Sequence, residues 1–145
     1  MNIEEVIEYT IEIHDALNNL LPQLSSSASP LSESDLREII SSESSHLLIA
    51  KDEDIYLGSL TLAVFRIPTG KRAWVEDVVV SESARGKGVG KKLLKHAVKL
   101  ANSCEAKTID LTSRPSRDAA NALYKKAGFE MRETNVYRYK DEKCT

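Results

Sequence analysis

Val78-Val79-Val80-Ser81-Glu82-Ser83-Ala84-Arg85-Gly86-Lys87-Gly88-Val89-Gly90-Lys91-Lys92-Leu93-Leu94 joins an apolar run to an amphipathic, lysine-rich stretch. The valines read as a buried strand, and the stretch after them has the apolar period of a helix. Alternate glycines at Gly86, Gly88 and Gly90 remove side chains from the connection, so backbone amides can approach a ligand closely. The helix that follows directs its unpaired N–H groups and the positive end of its dipole to the same place. Together these features make an anion site suited to a phosphate or pyrophosphate.

Two familiar phosphate loops do not fit. A Walker loop needs a glycine where Arg85 stands and a Ser or Thr where Lys92 stands. The dinucleotide fingerprint read from Gly86 needs a third glycine at Lys91. A loop that merely turns the chain is the plain alternative, but the strand and helix on either side favour binding.

The 145 residues suffice for a single domain, 1–145, with a core that needs neither metal nor disulfide. The amino terminus, Met1-Asn2-Ile3-Glu4-Glu5, is acidic where a signal peptide would be basic, and no apolar run reaches membrane-spanning length. Cys104 and Cys144 lack metal or disulfide spacing, and His14, His46 and His96 are scattered, so no metal site is expected. A reducing cytoplasm is the expected compartment, with no membrane partner.

A net charge of −2 conceals a polarity: residues 1–60 hold 12 acidic and 2 basic side chains, residues 61–145 hold 10 and 18. The basic half suits a polyanionic ligand and the acidic half a cationic amine, although the same asymmetry serves solubility alone. Nucleic-acid binding fits poorly, because no basic face interleaved with aromatics appears.

The apolar spacing from Ile3 to Leu21 predicts a first helix, and Ser32 or Ser34 starts a second over Asp35 to Ser42. Strands are expected at His46–Ala50, Tyr56–Ile67 and Arg72–Val80, then a helix from Gly88 to Ser103 and a strand over Lys107–Thr112. A helix over Asp118–Lys126 closes at Gly128, and Glu130–Glu133 and Asn135–Tyr139 read as two short strands. Asp141 onward reads as a frayed tail. This order predicts an α/β fold with a mixed central sheet flanked by helices, antiparallel pairs first and a parallel crossover later.

The Arg-Gly-x-Gly-x-Gly pattern at Arg85 to Gly90 resembles the pyrophosphate loop, motif A, of the GNAT superfamily of acetyl-CoA-dependent N-acetyltransferases. Val75-Glu76-Asp77 is similar to the Val/Ile-Glu-Asp pattern of its amino-sugar phosphate members, and Ala120 to Phe129 to its A-x-x-L-Y-x-x-x-G-F block. The resemblance covers roughly Ala73 to Tyr139. It implies the GNAT (acyl-CoA N-acyltransferase) fold and acetyl-CoA as cosubstrate. The family's first strand is expected to be missing here, since the helical pattern begins at Ile3, which leaves the sheet edge and homodimer pairing open.

The resemblance also implies roles. Val78, Val79 and Val80 would offer backbone groups to the pantetheine arm, and Arg85, Gly86, Lys87, Gly88, Val89 and Gly90 would wrap the pyrophosphate. Lys91 or Lys92 would reach the 3′-phosphate. Tyr124 would protonate the departing thiolate; the alternative is that it fills core space beside Leu123 and Phe129. The family's asparagine seven positions before that tyrosine is replaced by Arg117, so Asn121 is the candidate for the missing cofactor contact, or Arg117 meets a phosphate.

A primary amine with a pKa of about 10.4 must lose a proton before it attacks a thioester, at a cost of roughly 4–5 kcal/mol at neutral pH. Glu76 is the first candidate for base or amine ligand and Asp77 the second. Strict alternation groups Glu76 with Val78 and Val80, and Asp77 with Val75 and Val79, so both reach one site only if a bulge intervenes. The expected function is direct acetyl transfer to a primary amine of a small molecule or peptide. The alternative is a non-catalytic CoA-binding sensor of the same fold.

Overall fold

The computed structural model describes residues 1–141; residues 142–145, with Cys144 and most of the expected tail, lie outside it. Its elements run β1 (Asn2–Glu5), α1 (Ile11–Leu24), α2 (Glu33–Ser41), β2 (Ser45–Asp52), β3 (Ile55–Ile67), β4 (Gly70–Val80), α3 (Val89–Ser103), β5 (Thr108–Asp110) and α4 (Asp118–Lys126). The sheet order is β1-β2-β3-β4-β5, antiparallel from β1 to β4 and parallel between β4 and β5. The parallel step uses α3 as its crossover, because parallel neighbours cannot be joined by a tight turn.

The sheet is covered on both faces. β2 shows why: Leu48 and Ala50 enter a core with Leu60, Leu62, Ala73 and Val75 under α3, while Leu47 and Ile49 meet Leu17 of α1 and Leu36 of α2. A strand buried on both sides reads as a continuous apolar run, as Leu47 to Ala50 does. The apolar stripe of α3, Val89, Leu93, Leu94, Ala97 and Ala101, is fully buried.

The amino terminus corrects the sequence reading. Asn2–Glu5 is a strand, paired from Asn2↔Lys51 to Glu5↔Leu48, so the first strand is present. The helix starts only at Ile11, where the Thr10 side chain accepts from the Ile13 N–H at 3.2 Å. Ile3, Val6 and Ile7 fit a helical period and a strand-plus-turn equally well. The other helix start falls at Ser32, whose hydroxyl accepts from Asp35 N–H at 3.1 Å.

The carboxyl end also departs from expectation. Neither Glu130–Glu133 nor Asn135–Tyr139 forms a strand; residues 130–140 are exposed and join no ladder. β-Propensity alone makes no strand where no neighbour supplies hydrogen bonds. No helix among the described residues is long and apolar enough to cross a membrane.

Candidate active site

β4 carries the irregularity on which the site is built. Val79 lies opposite Ser59 and Glu76 opposite Thr61, so Asp77 and Val78 together face Leu60. This is a β-bulge, and Asp77 holds its left-handed conformation at φ 50°. The bulge overturns the grouping by strict alternation: Val78 and Val80 pack against the same core as Ala73 and Val75. Glu76 and Asp77 are both exposed in succession, and both line one cleft.

β5 pairs with β4 only from Arg72↔Thr108 to Trp74↔Asp110, then diverges. Beyond Trp74, β4 keeps β3 as its single strand neighbour among the described residues. A cleft of about 220 Å³ opens in the splay. Its walls are Val75, Glu76, Asp77 and Val78 of β4, Leu111 and Thr112 beyond β5, Arg117 and Tyr124, and Leu24 and Ser25 at the end of α1. The three candidate catalytic residues, Glu76, Asp77 and Tyr124, are therefore brought together.

Tyr124 is only 7% exposed and meets Phe129 edge-on with ring centroids 6.4 Å apart. Burial pushes its phenol pKa above the ordinary 10.0, and the Arg117 guanidinium pulls it back in part. Arg117 thus stands at the cleft as the N-cap residue of α4. Asn121 does not line the cleft: its side-chain amide donates to Arg114 O at 3.0 Å, tying down the loop that carries Arg117. In that loop the Ser113 hydroxyl is buried without a hydrogen-bond partner among the described residues. Such an orphan is costly unless something else meets it.

The glycine loop follows β4 through a single 3-10 turn, Glu82–Ala84, anchored by the buried Ala84. Glu82 N–H donates to the Gln23 side chain at 2.9 Å, which fastens the loop to α1. Gly86 and Gly88 sit at φ 80° and 79°, a region that L side chains rarely adopt. A Cβ at either would meet no protein atom within 4 Å, so the backbone conformation, not crowding within the chain, requires glycine there. Gly90 differs: its Cβ would lie 2.7 Å from Leu123, so its bareness lets α3 pack on α4. Helix geometry leaves the N–H groups of Val89, Gly90 and Lys91 without acceptors inside α3. No acidic side chain occupies that first turn, and Arg85, Lys87, Lys91 and Lys92 surround it, exposed.

The residues present fit coenzyme A chemically: a strand edge open on one side for an amide-rich arm, and a basic helix start for a diphosphate. Spacing pointed to the loop, and the family resemblance to Tyr124. Neither revealed Leu24 or Ser25, which carry no motif, and the resemblance gave Arg117 only a phosphate role. Two of the three histidines have ordinary partners: His14 lies between Tyr9 Oη and Leu31 O, each at 2.6 Å, and His46 bonds Glu5 at 2.8 Å.

Residues 12–129 match the model of the Acetyltransferase (GNAT) family. No curated protein sequence matches the chain. Among solved structures, the fold is similar to an aminoglycoside acetyltransferase, meta-AAC0020, from an uncultured soil metagenomic sample, with TM-score 0.86 and 19% identity over 97% of this chain and 95% of that one. It is similar also to glucosamine-6-phosphate N-acetyltransferase from Arabidopsis thaliana, with TM-score 0.79 and 19% identity over 97% and 100% of the two chains. A third, AAC(6')-Iy in complex with the bisubstrate analog CoA-S-monomethyl-acetylneamine, gives TM-score 0.80 and 16% identity over 97% of each chain. At these identities the likeness is one of fold.

Proposed function

The chain belongs to the GNAT family of acetyltransferases, and we propose that it transfers the acetyl group of acetyl-CoA directly to a primary amine of a small molecule or peptide. One observation carries the reading: Glu76, Asp77, Arg117 and Tyr124 converge on a cleft beside the unpaired length of β4 that leads into the glycine loop.

Val78, Val79 and Val80 offer main-chain groups to the pantetheine arm, as an added strand would use them. Arg85 to Gly90 and the first turn of α3 hold the diphosphate through backbone N–H groups, with Lys91 near the 3′-phosphate. Glu76 orients the acceptor ammonium and takes its proton, directly or through water, with Asp77 as the second carboxylate. The neutral amine attacks the thioester carbonyl, the C–N bond forms and the C–S bond breaks. Tyr124 gives its proton to the departing sulfur, and the second proton that the nitrogen sheds on becoming an amide restores the phenol through water. Its raised pKa keeps the phenol protonated at neutral pH, while Arg117 offsets the charge that develops when the proton leaves.

The acceptor is a cationic amine. Two exposed carboxylates at the cleft and the acidic first 60 residues favour one electrostatically. Aminoglycosides and glucosamine-6-phosphate, named for the enzymes of similar fold, frame the library to be tested.

Calorimetric titration with acetyl-CoA, followed by a free-thiol assay across an amine library, tests the proposal. Saturable binding and amine-dependent release of CoA are expected. Binding without release under any amine would favour a sensor, and no binding by folded protein would end both readings.

A further inference from the structure

Gln23 lies in the last turn of α1, immediately before Leu24 and Ser25, which wall the candidate cleft. Its carboxamide makes two hydrogen bonds of opposite sense. Nε2 donates to Asn19 O at 3.0 Å, one turn back in the same helix, and Oε1 accepts from Glu82 N–H at 2.9 Å. Only one orientation of the amide serves both partners, because one needs a donor and the other an acceptor. A carboxylate in its place would lack the donor, and an apolar side chain would lack both.

Glu82 opens the turn that leads from β4 into the glycine loop. Among the described residues, two hydrogen bonds reach residues 81–85 from other elements: Ser81 N–H donates to Leu57 O of β3 at 2.8 Å, and Glu82 N–H to Gln23. The first comes from the sheet that already carries β4. The second comes from the helix whose end walls the cleft. We infer that Gln23 is a positioning residue, whose amide locks the α1 wall of the cleft to the root of the glycine loop, so that occupancy of the loop is felt at Leu24 and Ser25. This deepens the acetyl-transfer reading and rests on it: phosphates held at Arg85 to Gly90 help to set the wall that meets the acceptor. Gln23 and Glu82 are both exposed. A single exposed hydrogen bond adds little to folding, and its loss changes a local equilibrium by about fivefold.

Inorganic pyrophosphate carries the phosphates without the pantetheine arm, so it probes the loop without entering the cleft. Titrated into isotopically labelled full-length protein, it should shift the amide resonances of Gly86, Gly88 and Gly90, and those of Leu24 and Ser25 with them. In Gln23→Met the loop shifts should persist while those of Leu24 and Ser25 fall by half or more. Gln23→Glu, which keeps the acceptor but loses its anchor on Asn19, should fall between. Asn19→Ala keeps the carbonyl that Gln23 uses and should match the wild type. All three variants should keep the wild-type melting temperature, which a merely structural role would lower. Shifts at Leu24 and Ser25 that are absent from the wild type, or undiminished in Gln23→Met, would overturn the inference. A loop that ignores pyrophosphate would count against the cofactor reading, and hydrogen exchange without ligand then still decides for Gln23. The Glu82 amide, and the Ser25 amide that closes α1 on Leu21 O at 3.0 Å, should exchange about fivefold faster in Gln23→Met. Unchanged rates at both would overturn the inference whatever the loop binds.

Discussion

Along β4, Lys71 to Trp74 are held on both sides, by β3 and by β5 or the Lys107 N–H that donates to Lys71 O, whereas Val75 to Val80 have β3 as their single strand neighbour among the described residues. The first half keeps regular register. The second contains the bulge, the left-handed Asp77 and every β4 residue that lines the cleft. One strand thus serves two ends: its saturated half fixes the geometry, and its unsaturated half presents groups that a ligand can use. Backbone hydrogen-bonding capacity is a strong constraint, so a half-strand left open on one side marks a place for something else to bind.

The largest effect should come from Tyr124→Phe, which removes the proposed acid while keeping the ring. We expect kcat to fall by about 10²–10⁴-fold with little change in acetyl-CoA affinity; equal losses in both, read by steady-state kinetics and calorimetry, would assign the ring to packing. The same variant has a stability signature. Because burial raises the phenol pKa above 10.0, ionisation is disfavoured in the folded state, and the native protein loses stability as pH rises above that value. Tyr124→Phe should lack that part of the alkaline loss in pH-dependent denaturation.

Gly88→Val should come next. The side chain would clash with no protein atom, but φ 79° is forbidden to it, so the loop must rearrange. Acetyl-CoA affinity should fall by roughly 100-fold, about 2.8 kcal/mol, in calorimetry; wild-type affinity would refute the loop assignment.

Asp77→Val attacks the bulge itself. A β-branched residue at φ 50° should cost about 1–2 kcal/mol in urea denaturation. Asp77→Asn, which tolerates that conformation, should leave stability unchanged, and any loss of turnover would then report the charge. The smallest effect belongs to the saturated half: Arg72→Ala, which removes an exposed bond to Thr69 at 3.0 Å, should stay within about 0.5 kcal/mol and leave kcat intact. A strong catalytic defect there would blur the distinction between the halves.

Much of this was legible in the chain. The valine run, the spaced glycines and the lysine-coated helix belong to strong local signals, and Asp118–Lys126 with Gly128 behind it matched its capping pattern. The candidate cleft was legible in part through residue types, because adjacent acids in an apolar strand conflict with alternation, and both line it. What failed were the two ends, in opposite senses. Ile3, Val6 and Ile7 were ambiguous in period, and a four-residue strand is too short to impose its own. Val136 to Tyr139 had the propensity for a strand, but pairing depends on a distant neighbour that local sequence does not specify. The splay between β4 and β5 is likewise a tertiary fact: nothing in Thr108–Asp110 announces that its ladder stops after three rungs.

The bare α-carbon of Gly90 reaches further than the loop it helps to form. It lets α3 seat against Leu123, the immediate chain neighbour of Tyr124, so the loop proposed to hold the nucleotide end and the hydroxyl proposed to meet the sulfur are linked through one helix contact. On the proposed reading, their fixed spacing would act as a ruler for the carrier. A longer acyl chain would then have to find its room on the α1 side of the cleft, which Leu24 and Ser25 line.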